Sequence, residues 1–225
     1  MHRLPNYARR VEYLETTGTQ WIDTGVVPRN YPSFRADIGV INAVVSTYNL
    51  AISFGCQNAW NSGAYAFVLP ANSNNRYCMH DAAEGATRER VTTSLVAETG
   101  RILVEHRNGT LSITQGGVHR QYSAPSYENY NELSFMLFRN NGGTAGGRLY
   151  PGPYRLYGFS LSISGTPVRS FVPCRVGQTG YLWDEVTGAF FGNSGTGNFV
   201  LGTDIAGGGY HGMPSSLHPL GGRRE

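Results

Sequence analysis

The chain has 225 residues and a formal net charge of +3, a length that suits one sizeable core. With 40% hydrophobic and 15% charged residues, the composition excludes a largely disordered chain, and no run of about 18 apolar residues marks a membrane-spanning helix. All 18 basic residues are arginine; they are scattered apart from Arg9-Arg10 and Arg223-Arg224, so no basic stripe for nucleic acid is visible.

The first residues, MHRLPNYARRVEYLE, carry positive charge with no apolar stretch behind it, which does not read as a secretory signal. Residues 1–10 are expected to form an arm. Strand signals then dominate. SFRADIGV, from Ser33 to Val40, alternates apolar and polar residues with the period of a half-buried strand. Short strand-like runs follow at Asn49–Phe54 (NLAISF), Ala64–Leu69 (AYAFVL) and Arg76–His80 (RYCMH), bounded by Asn, Ser, Pro and Gly. Helix is expected at most over Asp81–Arg90, where Gly85 keeps it short. Arg101–Thr114 reads as a hairpin turning at Asn108-Gly109, a dipeptide whose positive φ angles match strand twist. Asn108-Gly109-Thr110 also fits a glycosylation sequon, and the turn reading is preferred.

Glu132–Phe138 (ELSFMLF) is the next expected strand, and a glycine-punctuated loop starts at Arg139. Tyr154–Ser164 places Tyr157, Phe159, Leu161 and Ile163 on one face; a turn at Gly165-Thr166-Pro167 leads into Val168–Cys174. The stretch GYLWDEVTGAFFGNSGTGNF closes the domain as a hairpin with Thr187-Gly188 at its turn. Beyond Gly202 the periodicity stops. The expected organisation is an arm over 1–10, one domain over 11–202 and a Gly-rich tail over 203–225, and many short strands with turns between them argue for an antiparallel sandwich or barrel.

Cys56, Cys78 and Cys174 show no metal-ligand spacing and are expected as reduced, mostly buried thiols. Acidic residues are scattered, whereas calcium asks for six to eight oxygens, so neither a metal nor another cofactor is expected.

Three segments carry a family likeness. YLETTGTQWIDTG from Tyr13 resembles the first strands of concanavalin A-like, laminin-G-like jelly-roll domains of bacterial surface and phage proteins. Arg155-Leu-Tyr-Gly-Phe-Ser-Leu, Val168-Arg-Ser-Phe-Val-Pro-Cys and Tyr181-Leu-Trp-Asp-Glu-Val-Thr-Gly-Ala-Phe-Phe resemble that family's last three strands in order. The resemblance runs from about Val11 to Gly202. It implies an all-β fold: an antiparallel two-sheet jelly-roll β-sandwich. It also implies glycan binding at the concave face or its rim, on a phage virion or bacterial cell surface; the missing signal sequence and the reduced thiols add the expectation of a chain made in the cytoplasm.

Chemistry can be tested residue by residue. Retaining glucanases of this fold carry Glu-x-Asp-x-x-Glu on one strand, which sets two carboxylates about 5 Å apart. Glu128 and Glu132 share a face in ENYNE, but Tyr130 stands where the aspartate belongs; Asp184 and Glu185 are adjacent and face opposite ways. No nucleophile elbow is present. The expectation is therefore a chain that binds and does not catalyse. Sugar binding needs an aromatic platform and polar partners. QNAWNSGAY offers Trp60, Asn61 and Tyr65; Arg76, Tyr77 and His80 lie on neighbouring runs, and Arg139 and Asn140 end a strand and contribute from a rim. Trp21 and Trp183 read as packing residues. The partner expected is a glycan or host-surface polysaccharide, with neighbouring virion proteins reached through the terminal arms, a homo-oligomer compatible, and no nucleic acid or membrane insertion. The alternatives are a structural virion or assembly protein without a small ligand and, after it, a glycoside hydrolase.

Overall fold

The structure, a computed structural model, describes residues 1–42, 52–59, 62–69, 76–82, 89–124, 132–142 and 153–206. Among these are eighteen strands and no helix. In chain order they are β1 (Arg9–Arg10), β2 (Leu14–Glu15), β3 (Ile22–Asp23), β4 (Pro32–Val40), β5 (Ile52–Ala59), β6 (Ser62–Leu69), β7 (Arg76–Ala82), β8 (Glu89–Val96), β9 (Gly100–Arg107), β10 (Thr110–Gln115), β11 (Val118–Ser123), β12 (Met136–Leu137), β13 (Asn140–Asn141), β14 (Tyr154–Ile163), β15 (Thr166–Val176), β16 (Thr179–Asp184), β17 (Ala189–Phe191) and β18 (Val200–Leu201).

The strands form two sheets. The larger runs β11-β10-β9-β4-β14-β15-β16-β17, with β1 on β15, β2 on β14 and β18 on β2; the smaller runs β3-β12-β5-β6-β7-β8 with β13 on β5. Every pairing is antiparallel except β13 with β5. One core holds side chains of both sheets: Phe34, Ile38, Val104, Leu156, Phe159 and Phe171 from the larger, Phe54, Tyr65, Phe67, Tyr77 and Met79 from the smaller. The arrangement is consistent with a β-sandwich.

Alternation in the sequence becomes alternation in space along β4, where Phe34, Ala36 and Ile38 are buried and Ser33, Arg35 and Asp37 are only partly so. Asn108 (φ 49°) and Gly109 (φ 72°) turn the β9–β10 hairpin as the dipeptide predicts. Three local expectations change. The register of β14 on β4 shifts between Leu156 and Gly158, so Phe159 and Leu161 are buried while Tyr157 stays on the partly exposed side. The turn into β15 sits one residue early, at Ser164-Gly165, and Pro167 is already in the strand. Of Glu132–Phe138 only Met136–Leu137 is strand. In the stretch expected as a short helix, residues 81–82 end β7 and 89–90 begin β8, and 83–88 lie outside the described residues.

The larger sheet is packed on both faces at one end. Phe171, Leu182 and Phe191 face the main core. On the other face Val172, Cys174 and Trp183 form a second cluster with Leu4, Tyr181 and Phe190. Residues 1–10 therefore do not stand off as an arm. β1 pairs with β15, the His2 N–H donates to Glu185 O, and the Trp183 indole N–H donates to His2 O at 3.2 Å. A cleft of about 890 Å3 lies between this segment and β15–β16. The expected tail boundary moves too: Asp204 bridges to Val11 and pairs with Arg175, and residues 207–225 lie outside the described residues.

Candidate functional site

Two bulky residues of the described chain, Tyr31 and Phe138, have positive φ, and Phe138 directly follows β12. Phe138 has φ 67°, a region that a bulky side chain enters at a cost of about 1–3 kcal/mol. Its surroundings hold it there. The ring is fully buried, stacked on Tyr154 at 4.8 Å and packed on Phe199 at 4.9 Å. Its N–H donates to the Tyr154 hydroxyl at 2.7 Å. This reversal ends the antiparallel pairing of β12 and starts β13 parallel to β5. Arg139 is the residue at the corner.

The Arg139 side chain folds over Trp21, with its guanidinium carbon 4.4 Å from the ring centroid. Such stacking contributes about 0.5–1 kcal/mol at exposed sites and more when water is excluded. Arg139 Nε is buried and finds no acceptor. Burial also holds the guanidinium below its ordinary pKa, and no acidic group offsets that effect. Arg10, Arg35 and Arg76 share such an unpartnered Nε, whereas three other arginines are paired. Arg101 makes two 2.7 Å bonds to Asp37, Arg155 reaches Glu15 at 2.7 Å, and Arg175 grips Asp204 at 2.7 and 2.6 Å. Among the described residues no carboxylate neutralises Arg139.

Trp21 is fixed from the opposite side by the end of the closing hairpin motif. Its N–H donates to Asn193 Oδ1 at 3.1 Å, and its carbonyl accepts the Ser194 N–H at 2.8 Å. Asn193 also accepts the Gly195 N–H at 2.7 Å and donates to Gly197 O at 2.8 Å, which ties residues 193–197 into one turn. Thr19 and Gln20 both donate to Thr196 O. A Cβ at Gly195 would collide with Thr19 O and come within 2.8 Å of Trp21 Cδ1, so only glycine lets the loop pass this close. The glycines of GNSGTGN thus clamp Trp21, where the sequence suggested only an exit into the tail. Ser194 and Asn198 are exposed on the same loop.

The sequence-derived candidates do not converge. Trp60 and Asn61 lie outside the described residues. Tyr65 is fully buried, its hydroxyl 3.0 Å from Pro32 O and 2.9 Å from His106 Nδ1. Tyr77 is equally buried and donates to Gln115 Oε1 at 2.7 Å. Both tyrosines are corrected from ligand platform to core: they share the inward phase of β6 and β7 with Phe67 and Met79. Arg76 is half-buried at the start of β7. The backbone of His80 pairs with Ala66, Ala66 with Gly55, and Gly55 with Asn140. His80 and Asn140 thus share one transverse row, three strand spacings or about 14 Å apart. Asn140 itself is 1% exposed, too buried to meet a ligand, so it is corrected to an interior residue. Of the eight candidates, Arg139 stands at the partly exposed corner, and the ring it uses is Trp21, read from the sequence as packing.

The acid pair of the closing hairpin is accounted for. Asp184 is fully buried and accepts bonds from Ser170 N–H (2.9 Å), Val186 N–H (3.1 Å) and the Thr187 hydroxyl (2.6 Å). Glu185 accepts from the Ser170 hydroxyl at 3.1 Å. Glu128 lies outside the described residues. No group of three His, Cys, Asp or Glu side chains among the described residues is placed to hold a metal ion.

No protein-family description matches the chain, and no curated protein does. Among solved structures it is similar to the enzymatically active domain of tailspike protein 2 from bacteriophage CBA120, at 14% identity and a TM-score of 0.36. The likeness covers 72% of this chain and 27% of that one. One expectation is corrected here: the solved chain is titled an enzymatically active domain, and the assignment of this chain as non-catalytic is withdrawn.

Proposed function

We propose that the chain is a glycan-recognising domain of the concanavalin A-like jelly-roll type, carried on a phage particle or a bacterial surface. The observation that carries the reading is the Trp21–Arg139 corner. An indole and a guanidinium without a protein counter-charge are held together there by two segments anchored in the core. Aromatic faces match the apolar faces of sugars, and a planar guanidinium matches their oxygens. The exposed Ser194 and Asn198 add polar groups on the adjoining loop. Trp60 and Asn61 stay in the proposed recognition set on their sequence context alone.

The test is an array of bacterial surface polysaccharides probed with the wild type and with Trp21→Ala, the fold of each checked by thermal unfolding. Binding that drops at least tenfold in a folded Trp21→Ala supports the reading. An array without signal for the wild type refutes it. New reducing ends formed on any bound polysaccharide tell whether recognition is coupled to cleavage.

A further inference from the structure

The reading of the chain as a glycan binder leaves open which glycans, and the corner answers in terms of charge. Arg139 shares a buried Nε without an acceptor with Arg10, Arg35 and Arg76, and differs from those three in lying over an indole. Arg101, Arg155 and Arg175 have carboxylates at 2.6–2.7 Å. Arg169 stands 3.7 Å from Asp184 and donates to Thr24 O and Val168 O. Arg139 has only the Trp21 ring. A cation kept partly out of water without a partner is costly, and the strained turn at Phe138 that places it adds to the cost. Both costs fall on consecutive residues. A ligand that supplies the missing negative charge would offset them.

We propose that Arg139 receives the carboxylate of an acidic sugar, a uronic or ulosonic acid residue, with Trp21 holding the guanidinium in place. The chemistry selects among anions. A phosphate dianion is usually met by several cations or by a nest of N–H groups; here one guanidinium stands by itself. A carboxylate carries one charge, and its two coplanar oxygens match two N–H groups of the planar fork. Stacking on the indole fixes that fork before binding, so little side-chain freedom is lost when the anion arrives.

The experiment titrates the full chain with matched pairs: oligogalacturonate against its methyl ester, and sialyllactose against lactose. A sulfated oligosaccharide of the same length is a further arm. The expected result is at least tenfold tighter binding of an acidic member than of its neutral partner, weakening as salt rises. Arg139→Met should erase that ratio and unfold at or above the wild-type temperature. Arg139→Lys, without the fork, should keep only part of the ratio. Equal affinity for acidic and neutral members in the wild type overturns the carboxylate assignment while the glycan reading stands. So does an acidic preference that survives Arg139→Met, or a preference for the sulfated arm over both acids. Failure to bind any of these probes, or any polysaccharide of the array, removes the glycan reading itself and the inference with it.

Discussion

Replacing Asp184 by alanine asks whether the acid of the closing hairpin is structural. The side chain is fully buried and accepts three hydrogen bonds, from Ser170 N–H, Val186 N–H and the Thr187 hydroxyl, at 2.9, 3.1 and 2.6 Å. Arg169 Nη1 stands 3.7 Å from Oδ2. Alanine removes all four interactions at once and leaves two backbone N–H groups without their acceptor. Breaking a buried charge network from one side costs about 3–5 kcal/mol. A domain of this length loses about 2–4 °C of midpoint per kcal/mol, so the melting temperature should fall by about 10 °C. Asparagine keeps an oxygen for the two N–H groups and gives up the charge and the acceptor of the Thr187 hydroxyl, a loss of about 1–3 kcal/mol. Thermal and urea unfolding followed by circular dichroism measure both. The reasoning is refuted if alanine lies within about 1 kcal/mol of the wild type, or if asparagine is the more damaging change.

Two further outcomes follow from buried titratable groups. Burial pushes the His106 pKa down, only partly opposed by the hydrogen bond to Ala124 O. The unfolded chain, with a histidine pKa of about 6.5, therefore binds more protons than the folded one below that pH. Stability is fully present above about pH 6.5 and declines as pH falls toward the lowered folded value, by at most about 1.4 kcal/mol per pH unit. Urea midpoints at pH 7.5 and 5.5 should differ in the wild type and differ less in His106→Gln; equal shifts in the two would sink the idea. Cys174 is fully buried beside Val172 and Trp183, with Leu4 packed on that cluster, and burial pushes its thiol up to about 12. It should resist an aromatic disulfide reagent at pH 8 in the full chain and react at least tenfold faster after removal of residues 1–8. Equal reactivity would mean that the N-terminal segment does not shield it.

Much of the fold was legible because it rests on period two. Phe34, Ala36 and Ile38 alternate with Ser33, Arg35 and Asp37 in the sequence as they do in β4, and Asn108-Gly109 names its own turn. What was misread had competing physical causes. Tyr157 left the apolar phase of its strand because a register shift, invisible to periodicity, moves the positions beyond it by one residue. Tyr65 and Tyr77 resembled ligand platforms because a tyrosine carries a hydroxyl. Their phase with Phe67 and Met79 was the better signal, and buried acceptors take the hydroxyls. The docking of residues 1–10 left a trace in the apolar run Val172-Pro173-Cys174 and in Leu182-Trp183, since strands with both faces covered lose their alternation. The pairing of Arg139 with Trp21 left none. It joins segments far apart in sequence and depends on a positive φ at a phenylalanine, which no residue preference would suggest.

The corner also explains why the closing hairpin is more than a fold marker. Asp184 and Thr187 lock its turn, and Phe191 packs on Phe171 in the core at 5.0 Å. The chain leaving Phe191 reaches Asn193 with its backbone already placed, and Asn193 then ties residues 193–197 to Trp21. On the other side, Tyr154 in β14 fixes Phe138 and so aims Arg139. Each half of the corner is thus positioned by a strand of the larger sheet, although Arg139 itself sits between two strands of the smaller one. A fold that needed only to close would fill this junction with apolar side chains, since a hydrophobic residue there avoids both the desolvated charge and its missing partner. Residues that break local rules mark candidate places where a sequence serves something besides its fold. Here the breaches, the positive φ of Phe138 and the unneutralised charge of Arg139, are neighbours in the chain, and the second lies over one indole.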